Sequence, residues 1–339
     1  MRLPSGARLA LLLVRRSLSS ASSSAAAPAS RLSRAHRARM LRPPALACCK
    51  LYISEARNSG ALRAIEHAAA ALRPLAVLVN TFADDAYNRV GYTLVSPLAG
   101  GAASPPLRCA AFRVVAAAIE AVDLDAHAGA HPRLGVVDHI AFHPLASAHL
   151  EDVTALARAV AADIGDRLQV PTYLYGAAHR DGRTLASIRR QLGYFTPTSP
   201  GGEQWHGAPD SLLPVAPDAG PRTSSASNGV VVVGATPWVD NYNVPLTTAD
   251  VSVARRIARA VSERGGGLAC VQAMGLAHGD GATEVACNLL HPDAVGADQV
   301  QERVSRLAAG LGVGVGQGYF TDFSREKVVE LYLQAAQAA

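Results

Sequence analysis

The stretch His127-Ala-Gly-Ala-His131-Pro-Arg133-Leu-Gly135-Val-Val-Asp138-His139-Ile-Ala-Phe-His143-Pro144 holds four histidines, an arginine and an aspartate in a chain otherwise rich in alanine. Gly129, Pro132 and Gly135 punctuate its first half, which reads as a loop. Its second half, 136–142, is apolar and β-prone and reads as a strand. Upstream, Leu46–Ile53 reads as a strand. Asn58 or Ser59 then caps a helix with the stripe Leu62, Ile65, Ala69 and Leu72, which Pro74 stops. Leu75–Val79 and Val90–Val95 read as strands, and a helix follows with Leu107, Val114, Val115, Ala118, Ile119 and Val122 on one face. The strand at 136–142 therefore completes the order β-α-β-β-α-β, a split βαβ unit.

Downstream, the patterns predict a helix at 150–168, a strand Pro171–Tyr175 and a short helix at about 184–192. Residues 194–228 are dense in proline and glycine, and so long a structureless segment reads as a linker or a binding loop. Val230–Val233 and Trp238–Val244 read as strands. A helix with Val253, Ile257, Ala260 and Val261, strands Leu268–Met274 and Thr283–Leu290, a helix at about 297–310 and a strand Val313–Gly316 follow. From Trp238 the order β-α-β-β-α-β recurs. The expected fold is therefore α/β (α+β), with two ferredoxin-like βαββαβ subdomains and a ligand groove between them. The subdomains span 46–195 and 230–326, with 196–229 between them; 327–339 finishes a last helix at 324–337. Alternating Gly312, Gly314, Gly316 and Gly318 lack the G-x-G-x-x-G register and read as close strand packing.

Hydrophobic residues make up 49% and charged residues 17% of the 339, enough to bury a sizeable core. The net charge of +5 is unevenly spread. No acid precedes Glu55, whereas ten basic residues do, so the remaining 22 bases face 27 acids. A mildly acidic body argues against nucleic acid as partner. Residues 1–45, rich in Arg, Ser and Ala, have the composition of a mitochondrial or plastid transit peptide, and Met40 offers an internal start that would leave a cytoplasmic form. Leu9–Val14 is too short an apolar run for a membrane span. The five cysteines show no C-x-x-C, so neither a zinc finger nor a disulfide framework is expected.

An imidazole and a guanidinium on a loop at a strand's start are suited to proton transfer and anion anchoring. The surrounding blocks resemble a known family. Ser54-Glu55-Ala56-Arg57-Asn58, Asn88-Arg89-Val90-Gly91-Tyr92-Thr93, Ala130-His131-Pro132-Arg133-Leu134-Gly135-Val136-Val137-Asp138, Val170-Pro171-Thr172-Tyr173-Leu174-Tyr175-Gly176 and Pro217-Asp218-Ala219-Gly220-Pro221 occur in the order found in the formiminotransferase domain of the glutamate formiminotransferases and of formiminotransferase-cyclodeaminase. Asn241-Tyr242-Asn243-Val244-Pro245-Leu246 and Cys287-Asn288-Leu289-Leu290 fit as well, so the resemblance covers about 46–325. It implies transfer of a formimino or formyl group between glutamate and N5 of tetrahydrofolate, the folate serving as co-substrate and no metal being needed. It implies His131 as general base, and a homodimer.

Arg57, Arg89 and Arg133 lie in matched blocks, and bidentate guanidinium contacts suit the carboxylates of glutamate and of the folate tail. The family's folate loop falls on Gly220, Pro221, Arg222, Thr223, Ser224, Ser225, Ala226, Ser227, Asn228 and Gly229, with Tyr175 and Gly176 expected along the same cleft. Three departures stand out. The family's Asn-Phe-Ser-Glu-Gly is Tyr52-Ile53-Ser54-Glu55-Ala56 here, its Asp-x-Asp is Asn80-Thr81-Phe82, and the Glu before its histidine is Ala130. They motivate an alternative: a folate-binding protein with reduced catalysis. A minor one is a metal hydrolase with His127, His131, His139 and His143 as ligands. The cyclodeaminase step is expected to lie outside this chain.

Overall fold

The structure, a computed structural model, describes residues 44–98, 105–195, 211–279 and 281–338. The expected transit peptide lies outside the described residues, apart from its last two positions, as does the first part of the 196–229 linker.

The first unit runs β1 (Ala45–Ile53), α1 (Ser59–Ala70), β2 (Val77–Asp84), β3 (Arg89–Pro97), α2 (Pro105–Ala121) and β4 (Val137–Ala146). Asn58 caps α1, its side chain accepting from the N–H groups of Gly60 and Ala61. The strands pair antiparallel in the order β2-β3-β1-β4, the ferredoxin-like arrangement that the β-α-β-β-α-β order predicts. The chain continues through α3 (Leu150–Leu168), β5 (Thr172–Gly176), α4 (Leu185–Gln191), the two-residue strands β6 (Ser211–Leu212) and β7 (Thr223–Ser224), and β8 (Val231–Ala235). Here the structure corrects the expected boundary at 230. β8 inserts between β4 and β5, parallel to both, and completes a six-stranded first sheet. All five of its residues are buried, which its unbroken apolar run Val231-Val232-Val233 foreshadows for a parallel strand covered on both faces.

The second unit runs β9 (Asp240–Leu246), α5 (Val251–Val261), β10 (Val271–Ala277), β11 (Thr283–Leu289), α6 (Ala297–Ala309) and β12 (Tyr319–Phe320), in the order β10-β11-β9-β12. A second correction falls on its last strand. Val315 makes only an isolated bridge to Leu246, and the pairing strand is Tyr319–Phe320. The final helix, α7 (Arg325–Gln337), lays Val328 and Tyr332 against Leu46, Cys48 and Val95 of the first sheet.

Period-2 alternation decides which side chains meet across the middle. Along β1, Cys49, Leu51 and Ile53 enter the core under α1, α2 and α3, whereas Lys50 and Tyr52 point the other way. Along β11, Val285, Cys287 and Leu289 pack under α5 and α6, whereas Ala286 and Asn288 look outward. The two outward faces oppose each other and are polar.

Candidate functional site

Between the opposed faces lies a cavity of about 1130 Å³. Its walls carry Lys50 and Tyr52 from β1, Asn80, Phe82 and Asp84 from β2, Arg89 from β3, His139 from β4, and Asn241 and Asn288 from the second sheet. The walls are also tied together. Tyr52 Oη donates to Asn241 Oδ1 at 2.8 Å, and Lys50 Nζ lies 3.0 Å from Asp322 Oδ2 beneath the Trp238 ring. Asp322 also accepts from Thr93 and Asn80. Burial alone would lower the Lys50 pKa, but Asp322 raises it above the ordinary lysine value, so the ammonium stays charged.

His131 stands in the cavity wall on the loop before β4. Its Nδ1 is 2.6 Å from the Pro132 carbonyl, which can only accept, so Nδ1 carries the proton. Nε2 is therefore the lone-pair nitrogen, and it makes no hydrogen bond among the described residues. The ring packs edge-on against Tyr87, 5.1 Å between centroids, and against Tyr194 at 6.3 Å. Burial, and next the charge of Arg89, lower its pKa to about 3. The imidazole is thus neutral at physiological pH, which is the form a base needs.

The loop is held from below. Asp138, fully buried at the start of β4, accepts from Leu134 N–H through Oδ1 and receives Arg89 at 2.9 Å and Arg189 at 2.8 Å on Oδ2. Burial pushes the Asp138 pKa up, but Arg189 and Arg89 overcome it and hold the carboxyl below its usual range. Two guanidiniums share one carboxylate, so one positive charge is left over at the cavity. Arg189 sits on α4, stacks on Tyr194 at 4.3 Å, and keeps its buried Nε without a partner among the described residues.

Sequence reasoning missed Arg189. A signal was present: Leu185, Ile188, Arg189 and Leu192 fall at i, i+3, i+4 and i+7, placing the arginine on the helix face that packs inward.

The expected anion-binding arginines separate. Arg89 lines the cavity. Arg133 does not. It is buried and donates to the carbonyls of Gly129 and His131, so it is a brace for the histidine loop, and burial lowers its pKa to about 9. Arg57 donates to the carbonyls of Asp85 and Ala128 and borders a smaller pocket with His278.

Tyr175 is also behind the wall. Its hydroxyl pairs with His139 Nε2 at 2.7 Å, and His139 in turn stacks on Tyr52 at 5.3 Å within 5° of parallel. Gly176 ends β5 against the Ala235 carbonyl. None of Gly220, Pro221, Arg222, Thr223, Ser224, Ser225, Ala226, Ser227, Asn228 or Gly229 lines the cavity. Gly220 packs on Gly165 of α3, Leu213 N–H donates to the Arg222 carbonyl, Thr223 and Ser224 form β7, and Ser225 Oγ meets Ser227 Oγ. Asn228 accepts from Val136 N–H and Gly229 abuts Leu134. The segment thus buttresses the histidine loop from behind.

The four histidines do not converge. His127 accepts from Asn88, and His143 donates to the carbonyls of Thr236 and Pro237. Among the described residues no group of three or more His, Cys, Asp or Glu could hold a metal ion. No described helix is long and apolar enough to cross a membrane.

Residues 46–236 match the model of the formiminotransferase domain, N-terminal subdomain, whose end coincides with β8. The chain is 54% identical over 289 residues to the formiminotransferase cyclodeaminase-like protein of Arabidopsis thaliana, covering 85% of this chain and 96% of that protein. It is 32% identical over 230 residues to the glutamate formimidoyltransferase of Thermoplasma acidophilum, covering 67% and 70%. Over 276 residues it is 30% identical to the formimidoyltransferase-cyclodeaminase of Sus scrofa, of whose length it spans 48%.

Proposed function

Because the chain belongs to the formiminotransferase domain family, we propose that it is a one-carbon transferase moving a formimino or formyl group between glutamate and N5 of tetrahydrofolate. The observation that carries this reading is His131 Nε2. It is the lone-pair nitrogen of a ring that lines the inter-sheet cavity, fixed by the Nδ1 bond to Pro132, beside a surplus guanidinium charge. The residues present suit both substrates. Ligand pockets commonly measure about 300–1,000 Å³, and this cavity exceeds that. The Tyr52–His139 stack offers a flat aromatic wall, and the unpartnered Arg189 Nε beside Arg89 suits a carboxylate.

Tetrahydrofolate supplies the nucleophilic nitrogen that receives the one-carbon unit. In this reading His131 Nε2 accepts the proton released as that nitrogen bonds to the one-carbon centre. The imidazolium then returns the proton to the glutamate nitrogen as its bond to the same carbon breaks. Asp138, one bond from Leu134 and two from the arginines, keeps the loop in place during the exchange.

Purified protein should transfer the group from N-formiminoglutamate to tetrahydrofolate. His131→Ala should lower kcat by about 10²–10⁴-fold, the usual contribution of a positioned acid–base group, while folate binding persists. A fully active alanine variant would remove His131 from the reaction. Asn80, Phe82 and Ala130 line the cavity where the family carries acids, and this favours one second reading, a folate binder with little turnover. Saturable binding of tetrahydrofolate without transfer from any donor would select it. Homodimer formation, measured by sedimentation, and organelle import directed by residues 1–45, measured with a fluorescent fusion, belong to the same proposal.

A further inference from the structure

The cavity segregates its charges. One end holds Arg89 and Arg189 on the single carboxylate of Asp138. From there Tyr194 links Arg189 to His131, and Tyr87 links His131 to His278, the Tyr87 and His278 ring centroids standing 5.0 Å apart. Behind this far end, His278, on the second subdomain and bordering the smaller pocket, donates from Nε2 to Asp84 Oδ2 at 2.9 Å and lies 3.7 Å from Glu284 Oε2 through Nδ1.

The two carboxylates differ in what they can still do. Glu284 has no solvent exposure and accepts from Tyr87, Tyr319 and Asn243, so it is a structural hub between the subdomains that no ligand reaches. Asp84 lines the cavity and makes two hydrogen bonds, to Tyr87 N–H at 2.9 Å and to His278. A carboxylate offers about four lone-pair sites, so acceptor capacity remains. Burial would raise the Asp84 pKa, but the bonds from His278 and Tyr87 N–H lower it, and the group is ionised at neutral pH.

Position adds a second observation. Asn80, Phe82 and Asp84 alternate along β2 and all line the cavity. The acids absent at Asn80 and Phe82 therefore have a counterpart one pleat further along, on the same face, in a residue whose partner comes from the other subdomain.

A formimino group is an amidine, protonated at neutral pH, with N–H donors in a plane; a formyl group is a neutral amide. The glutamate portions of the two donors carry the same two carboxylates. We infer that Asp84, oriented by His278, is the residue that makes this cavity prefer a charged formimino donor to a neutral formyl donor, accepting the amidinium N–H groups while Arg89 and Arg189 take a carboxylate. Asp84 is the specificity-determining contact and His278 a positioning residue. This inference rests on the transferase reading above.

The test compares kcat/KM for N-formiminoglutamate and N-formylglutamate with tetrahydrofolate as acceptor. Wild-type protein should favour the formimino donor. Asp84→Asn keeps the shape and the bond from Tyr87, and should lower the formimino-to-formyl ratio by about tenfold or more, the size of one charge-assisted hydrogen bond, mainly through KM. Asp84→Glu should retain most of the preference, and His278→Gln should lose part of it in the same direction. A wild-type ratio near one, or equal losses on both donors in Asp84→Asn, would overturn the inference while leaving the transferase intact. If the wild-type protein transfers from neither donor, the transferase reading falls and this inference with it.

Discussion

Two arginines, Arg133 and Arg89, illustrate how little residue type says without its partners. Arg133 meets carbonyls and Arg89 meets a carboxylate at the edge of a cavity. Replacing Arg133 by Met strips the carbonyls of His131 and Gly129 of their donors inside the protein. This should cost about 2–4 kcal/mol in urea unfolding, because buried acceptors lose charged hydrogen bonds. Turnover should fall with kcat rather than KM, since the brace is lost and the binding wall is not. Arg89→Gln should do the converse: it leaves Arg189 on Asp138, costs less stability, and raises KM for a dicarboxylic donor about tenfold, as expected for one charge-assisted contact. Swapped outcomes in the two variants would reverse the assignment of brace and binder.

At the scale of elements, contacts between segments distant in sequence set the local demands. Gly165 lies within α3, where Gly→Ala ordinarily stabilises a helix by about 1 kcal/mol. Here a Cβ would stand 2.5 Å from Gly220 N and 2.7 Å from the Ala219 carbonyl carbon. Gly165→Ala should therefore destabilise by about 1–3 kcal/mol, the cost of overpacking against backbone, and a raised thermal midpoint would refute that close approach. The Pro217-Asp218-Ala-Gly220-Pro221 block has its explanation in the same place. Asp218 receives Arg183 and Leu174 N–H at the edge of β5, and Gly220, at φ +83°, turns the chain under α3. The strands themselves were legible where apolar and polar residues alternate, as on β1 and β11. β8 was legible as a strand but not as a member of the first sheet. An all-valine run fits any covered position, and only its pairing with His139–Phe142 and Thr172–Gly176 assigns it. β12 was missed because two residues carry no periodicity.

The whole molecule joins its halves through buried polar groups, and these give it a pH signature. His131 and His143 have pKa values lowered to about 3 and His139 is lowered well below the ordinary value, burial being the largest cause for each. Below pH about 6.5 the unfolded chain protonates these residues and the folded one does not. The unfolded state then binds more protons, and stability falls with decreasing pH by up to about 1.4 kcal/mol per pH unit for each histidine. His278, raised chiefly by the bond it donates to Asp84, works in the opposite sense, but its stabilising contribution is essentially complete by pH about 6.5 and adds little slope below it. Stability measured by urea unfolding should accordingly decline between pH about 6.5 and 4.5, and His143→Gln should flatten the slope; a slope unchanged in that variant would show that His143 is not a buried neutral group. Across the subdomains, Asp322→Asn should cost about 3–5 kcal/mol, because it leaves the Lys50 charge beneath Trp238 with the Val239 carbonyl but no counter-charge.

Sequence alone determined the two βαββαβ units and the histidine loop at the head of β4, because these follow from period, capping and turn chemistry within short windows. Tertiary structure decided which charged residues share the cavity. Arg189 and Asp84 come to it, whereas Arg133 and the 220–229 segment stand behind it, since a side chain's charge is local to the sequence but its counter-charge is not.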